Sequence, residues 1–255
     1  MIKHRGVQQA GCIMFKLAIG LLCLPMAALA QSEISFPAAD GVTVFADFYG
    51  HAGDRRRGII LLFHQADANA AEYGTIAPHL AALGFDSIAV DQRSGGNMFT
   101  GTNRTAAALG QRAPYEAAIP DLEAALAYAT DSASADPIIL WGSSYSSSLA
   151  IVVAARHPEV VDGVLAFSPG QYFSALIVAD EAATLAVPAY LTASGTDEEM
   201  AAVAAIASAI PAGLATVVDP VAGRHGSSTL IENANPGGWA DNWRPVEAFL
   251  DRVAP

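Results

Sequence analysis

Cysteine is nearly absent from this sequence: Cys12 and Cys23 are the only two, and none follows position 23. Residues 31–255 therefore have no disulfide and no thiol chemistry, and a chain of that length must be held by its apolar core. Lysine is as scarce, with only Lys3 and Lys16. Beyond position 30, 10 arginines stand against 25 acids, a formal charge of −15 (10 − 25). So acidic a surface repels nucleic acid and anionic membranes, which need a basic face, and no nucleic-acid partner is expected. No apolar run reaches the roughly 20 residues of a membrane span. No G-x-G-x-x-G follows the first central strand candidate, so the dinucleotide-binding fingerprint is missing too. Internal repeats, low-complexity tracts and linkers are also lacking, and residues 31–255 read as one domain.

What stands at the N-terminus has a different character. Residues 1–30 carry Lys3, Arg5 and Lys16 and no acid, then the apolar run 17–30, ending in Ala28-Leu29-Ala30. A basic region, an apolar run of 14 residues (30 − 16) and a small-x-small triplet make a secretory signal peptide cleaved before Gln31. The expected location is periplasmic or secreted, with no stable membrane anchor after cleavage.

From Gly58 onward, short apolar runs alternate with helical patterns, the signature of repeated β-α-β units around a parallel sheet. Strands are expected at 59–63, 87–90, 138–140, 164–167, 189–193 and 215–218. These runs do not alternate with polar residues, as befits strands covered on both faces. Before them, 34–36 and 42–48 flank Ala39-Asp40-Gly41 and read as an antiparallel hairpin at the sheet edge. Ile119, Leu122, Leu126 and Ala129 predict an amphipathic helix over 115–130, and Met200, Val203, Ala207 and Ile210 predict another. Residues 149–155 are apolar all round and predict a buried helix. A last helix is expected over 245–253, and 94–113 reads as a long loop. The fold class is α/β: a doubly wound, mostly parallel sheet of about eight strands, with no large cap domain.

One stretch asks for chemistry. "GSSYSSS", residues 142–148, places five serines after an apolar run. An attacking serine is best presented by a sharp strand-to-helix turn, where residues two before and two after must be small. Ser144 meets this condition, with Gly142 and Ser146. Ser143 fails it at Trp141, and Ser146, Ser147 and Ser148 fall inside the following helix. A serine-rich stretch is also a common helix cap and turn, so the partners decide.

A serine hydroxyl needs a base to take its proton, and the base needs an acid to fix its tautomer. On a doubly wound sheet these follow in the order serine, acid, histidine, on loops after later strands. Asp197 stands in "SGTDEEM" just past one strand, with Glu198 and Glu199 directly behind it. His225 stands in "RHGSSTL" just past the next. His51, His79 and His157 sit before a strand, within a helix and at a helix end; His64 ends the strand "IILLF".

On these residues the chain resembles the α/β-hydrolase superfamily, and most closely its small dienelactone-hydrolase-like branch. The likeness spans 34–254 and rests on the hairpin, "LLFHQA", "VDQRSGG", the turn at Ser144, "SGTD" and "RHGS". It implies a catalytic Ser144, Asp197 and His225. It also implies an oxyanion hole made by the Tyr145 N–H with that of Ala66, or Gln65 in its place. Two positions depart from the family pattern: His-Gln replaces the usual His-Gly, and Ser146 replaces glycine. A serine stands where dienelactone hydrolase has cysteine, so its lactone substrate does not carry over. Candidate substrate contacts are His64, Arg93 and Tyr172, with Arg93 equally suited to an ion pair with Asp91 or another acid. Pocket walls are expected from 67–73, 94–113 and 171–173, including Phe99, Tyr172 and Phe173.

The expectation is a serine hydrolase that cleaves small carboxylic esters through an acyl-enzyme, with no metal and no organic cofactor. A peptidase or thioesterase on the same residues stays open, as does a silent hydrolase fold that binds a ligand.

Overall fold

The computed structural model describes residues 1–2, 31–133 and 136–255. The expected signal segment, 1–30, lies outside the described residues apart from its first two. Eight strands form one sheet in the order β1-β2-β4-β3-β5-β6-β7-β8. They are β1 Gln31–Pro37, β2 Thr43–Tyr49, β3 Gly58–Phe63, β4 Phe85–Asp91, β5 Ile138–Ser143, β6 Gly163–Phe167, β7 Ala189–Thr192 and β8 Ala215–Val217. β1 pairs antiparallel with β2, and β2 antiparallel with β4. All other pairings are parallel.

The strands are two-faced, and successive side chains serve different layers. Ile59, Leu61 and Phe63 of β3 join the core beneath helices α3 (Ile119–Ala133), α4 (Tyr145–Arg156), α5 (Val178–Ala182) and α6 (Asp197–Ala209). Ile60 and Leu62 join the opposite core, beneath α1 (Ile76–Ala82) and α7 (Trp239–Val253). Burial on both faces explains why these runs are continuously apolar. Helix α4 crosses the middle of the sheet, and its Leu149, Ile151, Val152 and Val153 are fully buried. Each such side chain contributes about 1.5–3 kcal/mol, so the segment behind Ser144 is anchored firmly.

Two segments differ from the sequence reading. Residues 94–113 are not all loop: α2 (Arg104–Leu109) is capped by the Asn103 side chain on Ala106 N–H and stopped by Gly110 in the left-handed region. The last helix begins at Trp239, with Pro245 inside it rather than at its start. Tertiary burial outweighs the missing N–H here. Asn242 bonds to Val221 and Thr229, and Trp243 stacks on His79 and donates to Leu230 O. Between β6 and β7 the described chain holds only the five-residue α5, so no cap domain covers the carboxyl edge of the sheet.

At the β5–α4 turn the chain reverses so tightly that a Cβ on Gly142 would lie 2.3 Å from Ser147 Cα. Gly142→Ala is expected to destabilise the protein by roughly 1–3 kcal/mol or more, as overpacking against backbone does. Thermal unfolding monitored by circular dichroism checks this through a lowered Tm.

Candidate active site

Ser144 sits between β5 and α4 with φ 59° and ψ −130°. A non-glycine residue adopts such a backbone only when its surroundings impose it, at a cost of order 1–3 kcal/mol. The surroundings are visible: Ser144 N–H donates to Phe167 O at 2.8 Å, and Ser144 O accepts from Ser147 N–H at 2.9 Å and Ser147 Oγ. The Ser144 hydroxyl is 2.8 Å from His225 Nε2. His225 precedes the 3-10 turn Gly226–Leu230, held by the Trp141 Nε1–H donating to Ser227 Oγ and the Gly226 N–H donating to Ser168 Oγ. Gly226 is obligatory there, since its φ is 64° and a Cβ would meet Ser143 Oγ at 2.3 Å.

The acid is where the structure corrects the sequence reading. His225 Nδ1 contacts Glu199 Oε1 at 2.9 Å, while Asp197 is exposed and has no contact with His225. Helix α6 starts at Asp197, and two residues along a helix turn a side chain by about 200°. Only one of the two positions can therefore face the carboxyl edge of the sheet, and it is Glu199. Glu199 Oε2 also accepts from Ser168 Oγ at 2.7 Å and Ser194 N–H at 2.9 Å. Burial raises its pKa, but the bonds from Ser168, His225 and Ser194 lower it by more, so the group lies below its usual value and is ionised near neutrality. An ionised carboxylate only accepts, so Nδ1 carries the proton and Nε2 accepts from the Ser144 hydroxyl. The sequence held a signal for this residue: Thr196-x-x-Glu199 is the capping-box pattern. Half the box forms, with Thr196 Oγ1 accepting from Glu199 N–H, while the carboxylate turns to His225 instead.

The other serines of the stretch each have a distinct partner. Ser143 Oγ donates to Glu72 at 2.6 Å and accepts from Ser227 N–H at 2.9 Å. Ser146 Oγ donates to His64 O at 2.5 Å, so the residue that departs from glycine ties the elbow to the end of β3. Ser148 Oγ donates to Gly170 O and accepts Gly170 N–H, which fixes the loop after β6.

Of the two candidate oxyanion donors after β3, Gln65 is excluded, because its N–H is spent on Glu72 Oε2 at 2.7 Å. Gln65 O accepts from His64 Nδ1 at 2.8 Å and Ala68 N–H at 3.3 Å. A peptide plane whose carbonyl is held on one side presents its N–H on the other. That N–H belongs to Ala66, and neither it nor the Tyr145 N–H at the start of α4 has an acceptor among the described residues.

The proposed substrate contacts fare differently. His64 is fully buried, with Nε2 accepting from Gln92 N–H and Asn103 Nδ2, and burial pushes its pKa down. It is a neutral strut and does not face a substrate. Arg93 is also buried and pairs with Asp121 at 2.7 Å and with Asp40, so the ion pair forms with these acids rather than with Asp91. Asp91 instead holds Arg104 at 2.6 Å. Tyr172 does stand at the site. Its hydroxyl donates to Ser168 O at 2.8 Å, on the loop that follows β6, and its side chain is partly exposed. Tyr115 stacks on Tyr145 at 4.3 Å and lines an open cleft of about 470 Å³ with Arg112, Ala113, Pro114 and Glu116, a lining that does not include Ser144, His225 or Tyr172. Phe173 is core, and Phe99 is exposed on the 94–113 segment. Among the described residues no cluster of His, Cys, Asp and Glu is placed to hold a metal, and no helix is long and apolar enough to cross a membrane.

The sheet order, the strand-to-helix elbow and the loop positions define an α/β-hydrolase fold. The chain belongs to the Hydrolase_4 family (serine aminopeptidase, S33), whose model matches residues 54–199. Among solved structures it is similar to a dienelactone hydrolase from Anabaena variabilis, at 14% identity over 89% of this chain and 99% of that one, TM-score 0.67. A carboxyl esterase from Bacillus coagulans matches at 14% identity over 89% and 100%, TM-score 0.69. Brefeldin A esterase, a bacterial protein, matches at 18% over 94% and 81%, TM-score 0.68. A search of curated protein sequences found no match.

Glu72 gives the site a measurable pH signature. Its carboxyl is 1% exposed, and burial, offset in part by the bonds from Ser143 and Gln65, raises its pKa from 4.5 to about 7. The folded state thus holds a proton that the unfolded state has released. Stability from this group is full below pH 4.5 and is lost as pH rises through about 7. The rise corresponds to roughly 3 kcal/mol. Glu72→Gln cannot ionise, so the Tm of the variant minus that of the wild type should increase from pH 5 to pH 8; a flat difference would contradict the shift.

Proposed function

We propose that this protein is a serine hydrolase that cleaves small carboxylic esters by acyl transfer. The observation that carries the reading is the hydrogen-bonded chain from Ser144 Oγ through His225 to Glu199, mounted on a left-handed strand-to-helix turn. His225 Nε2 takes the Ser144 proton as Oγ attacks the carbonyl carbon, and returns it to the leaving alcohol. Glu199 keeps Nδ1 protonated and stabilises the imidazolium. The N–H groups of Tyr145 and Ala66 stabilise the developing oxyanion, each worth about 3–4 kcal/mol at the transition state. Water activated by the same histidine then releases the acid. The route needs neither metal nor organic cofactor. The similarity in fold to proteins named esterases supports the ester as substrate class. Export to the periplasm or beyond follows from the basic and apolar pattern of residues 1–30.

The family description favours a second substrate on the same residues, the N-terminal amide of a short peptide. Comparing nitrophenyl esters with aminoacyl nitroanilides separates the two, and the ester is expected to turn over faster.

The serine assignment is tested with a fluorophosphonate probe and intact-mass measurement. One adduct is expected on the wild-type protein and none on Ser144→Ala. An unlabelled, folded wild-type protein would move a silent, ligand-binding hydrolase fold to the front.

For the acid, Glu199→Gln should lower kcat by roughly a hundredfold to ten-thousandfold, as loss of the tautomer-fixing carboxylate does. Asp197→Asn should leave kcat within about twofold. Steady-state hydrolysis of nitrophenyl acetate reads both, and the reverse ranking would return the role to Asp197.

A further inference from the structure

Behind Ser144 lies a carboxyl group that the acyl-transfer steps do not use. Glu72 belongs to the one-turn 3-10 helix Ala70–Tyr73 and makes no ion pair among the described residues. Its two oxygens have different partners. Oε2 accepts the Gln65 main-chain N–H at 2.7 Å; Oε1 accepts the Ser143 hydroxyl at 2.6 Å and the Gln65 side-chain amide at 3.3 Å. Ser143 Oγ in turn accepts the Ser227 N–H at 2.9 Å. One side chain therefore joins three separate pieces of chain: the loop with Ala66, the strand end that presents Ser144, and the loop that carries His225.

Burying a carboxyl without a countercharge is costly, and an apolar residue would fill the same space at less expense to stability. The arrangement is specific to two acceptors. Both Gln65 N–H and Ser143 O–H point at the same group, and the Ser143 hydroxyl accepts from Ser227 N–H at the same time as it donates to Glu72. We propose that Glu72 is a positioning residue for acyl transfer, holding the Ala66 N–H at a fixed separation from Ser144 and the Tyr145 N–H. This rests on the serine-hydrolase reading above. The Gln65–Ala66 plane is held at Gln65 O by His64 Nδ1 and Ala68 N–H, and Glu72 holds the plane before it through Gln65 N–H; loosening that bond lets residue 65 shift and takes Ala66 off the oxyanion position. Ground-state binding of the substrate falls, in this reading, to side chains outside this anchor, Tyr172 among them.

The test uses Glu72→Gln, which keeps the shape and one acceptor but replaces the second with a donor, and Ser143→Ala, which removes the link to the elbow and leaves Glu72 on Gln65. At pH 8, where Glu72 is ionised and both of its oxygens accept, kcat of Glu72→Gln on nitrophenyl acetate is expected to fall roughly tenfold or more, the scale of a slight misplacement at the reacting centre, with KM changed less than about threefold. Affinity for phenylboronic acid, which forms a tetrahedral adduct on the serine, should fall in step with kcat. Ser143→Ala should show the same pattern more weakly. Wild-type kcat in both variants would overturn the proposal, as would a loss of kcat with boronate affinity unchanged. Should Glu72→Gln fail to fold, Ser143→Ala decides by the same readouts. Ser144→Ala is run alongside: hydrolysis persisting there overturns the acyl-transfer reading itself, whereas an inactive Ser144→Ala beside an unaffected Glu72→Gln overturns only the role of Glu72.

Discussion

The backbone of Ser144, held at φ 59° where β5 turns into α4, is the constraint from which the site is built. A strained residue persists only where neighbours over-determine it, and here they come from three directions. Phe167 O takes the Ser144 N–H from the adjacent strand, Ser147 closes onto Ser144 O from the helix, and Gly142 lets that helix pass close by. In exchange, the hydroxyl is lifted above the carboxyl edge of the sheet, and the first turn of α4 leaves the Tyr145 N–H unspent beside it. Helix α4 can bear this strain because it is buried along its length between the central strands and its neighbours.

The same edge is unusually polar for a region so buried. Asp91, Gln92, Arg93, His64, Asn103, Glu72 and Asp121 are all under 9% exposed or close to it, and nearly every polar atom among them is paired. Gln92 shows how the pairing works. Its side chain accepts from His64 N–H and donates to Ser146 Oγ, so the loop after β3, the loop after β4 and the elbow share one amide. Networks of this kind specify one arrangement of loops in a way apolar contacts do not, because a shifted loop leaves a buried donor or acceptor unmet. Residues that look like substrate ligands in the sequence, His64 and Arg93, belong to this support.

Most of the fold was legible because its strands are short continuous apolar runs and its central helices are periodic, both direct consequences of burial. Ser144 and His225 were legible for a related reason: each follows the end of such a run, and strand ends are what the chain pattern marks best. Glu199 was not, because three consecutive acids open helix α6 and the helix phase decides which one faces the sheet. Phase depends on whether Thr196 or Asp197 caps the helix, a choice worth only about 1 kcal/mol and therefore faintly written in the sequence. The start of α7 was hidden by Pro245, whose local preference yields to the burial of Trp243 against His79 and Trp141. Asn103 and Gly110, by contrast, are ordinary helix-stop signals inside 94–113 that the loop composition obscured.

Placing the acid on a helix rather than on a free loop has a consequence for the base. The first turn of a helix carries partial positive charge from its unpaired N–H groups, which favours an anion, and Glu199 is there together with the Ser194 N–H and the Ser168 hydroxyl. These donors compete with His225 for the carboxylate, spreading its charge over several bonds. They also fix its orientation from three sides. A carboxylate so restrained can hold the imidazole ring in register without leaving its own position, and the cost of that order is met by folding rather than at each turnover. Ser168 then acts at both ends, donating to Glu199 and accepting the N–H of Gly226, the residue after His225. Glu199 and His225 are thus set relative to one another through a single hydroxyl as well as through their direct bond, which is how a glutamate in the first turn of a helix stands where a loop aspartate is expected.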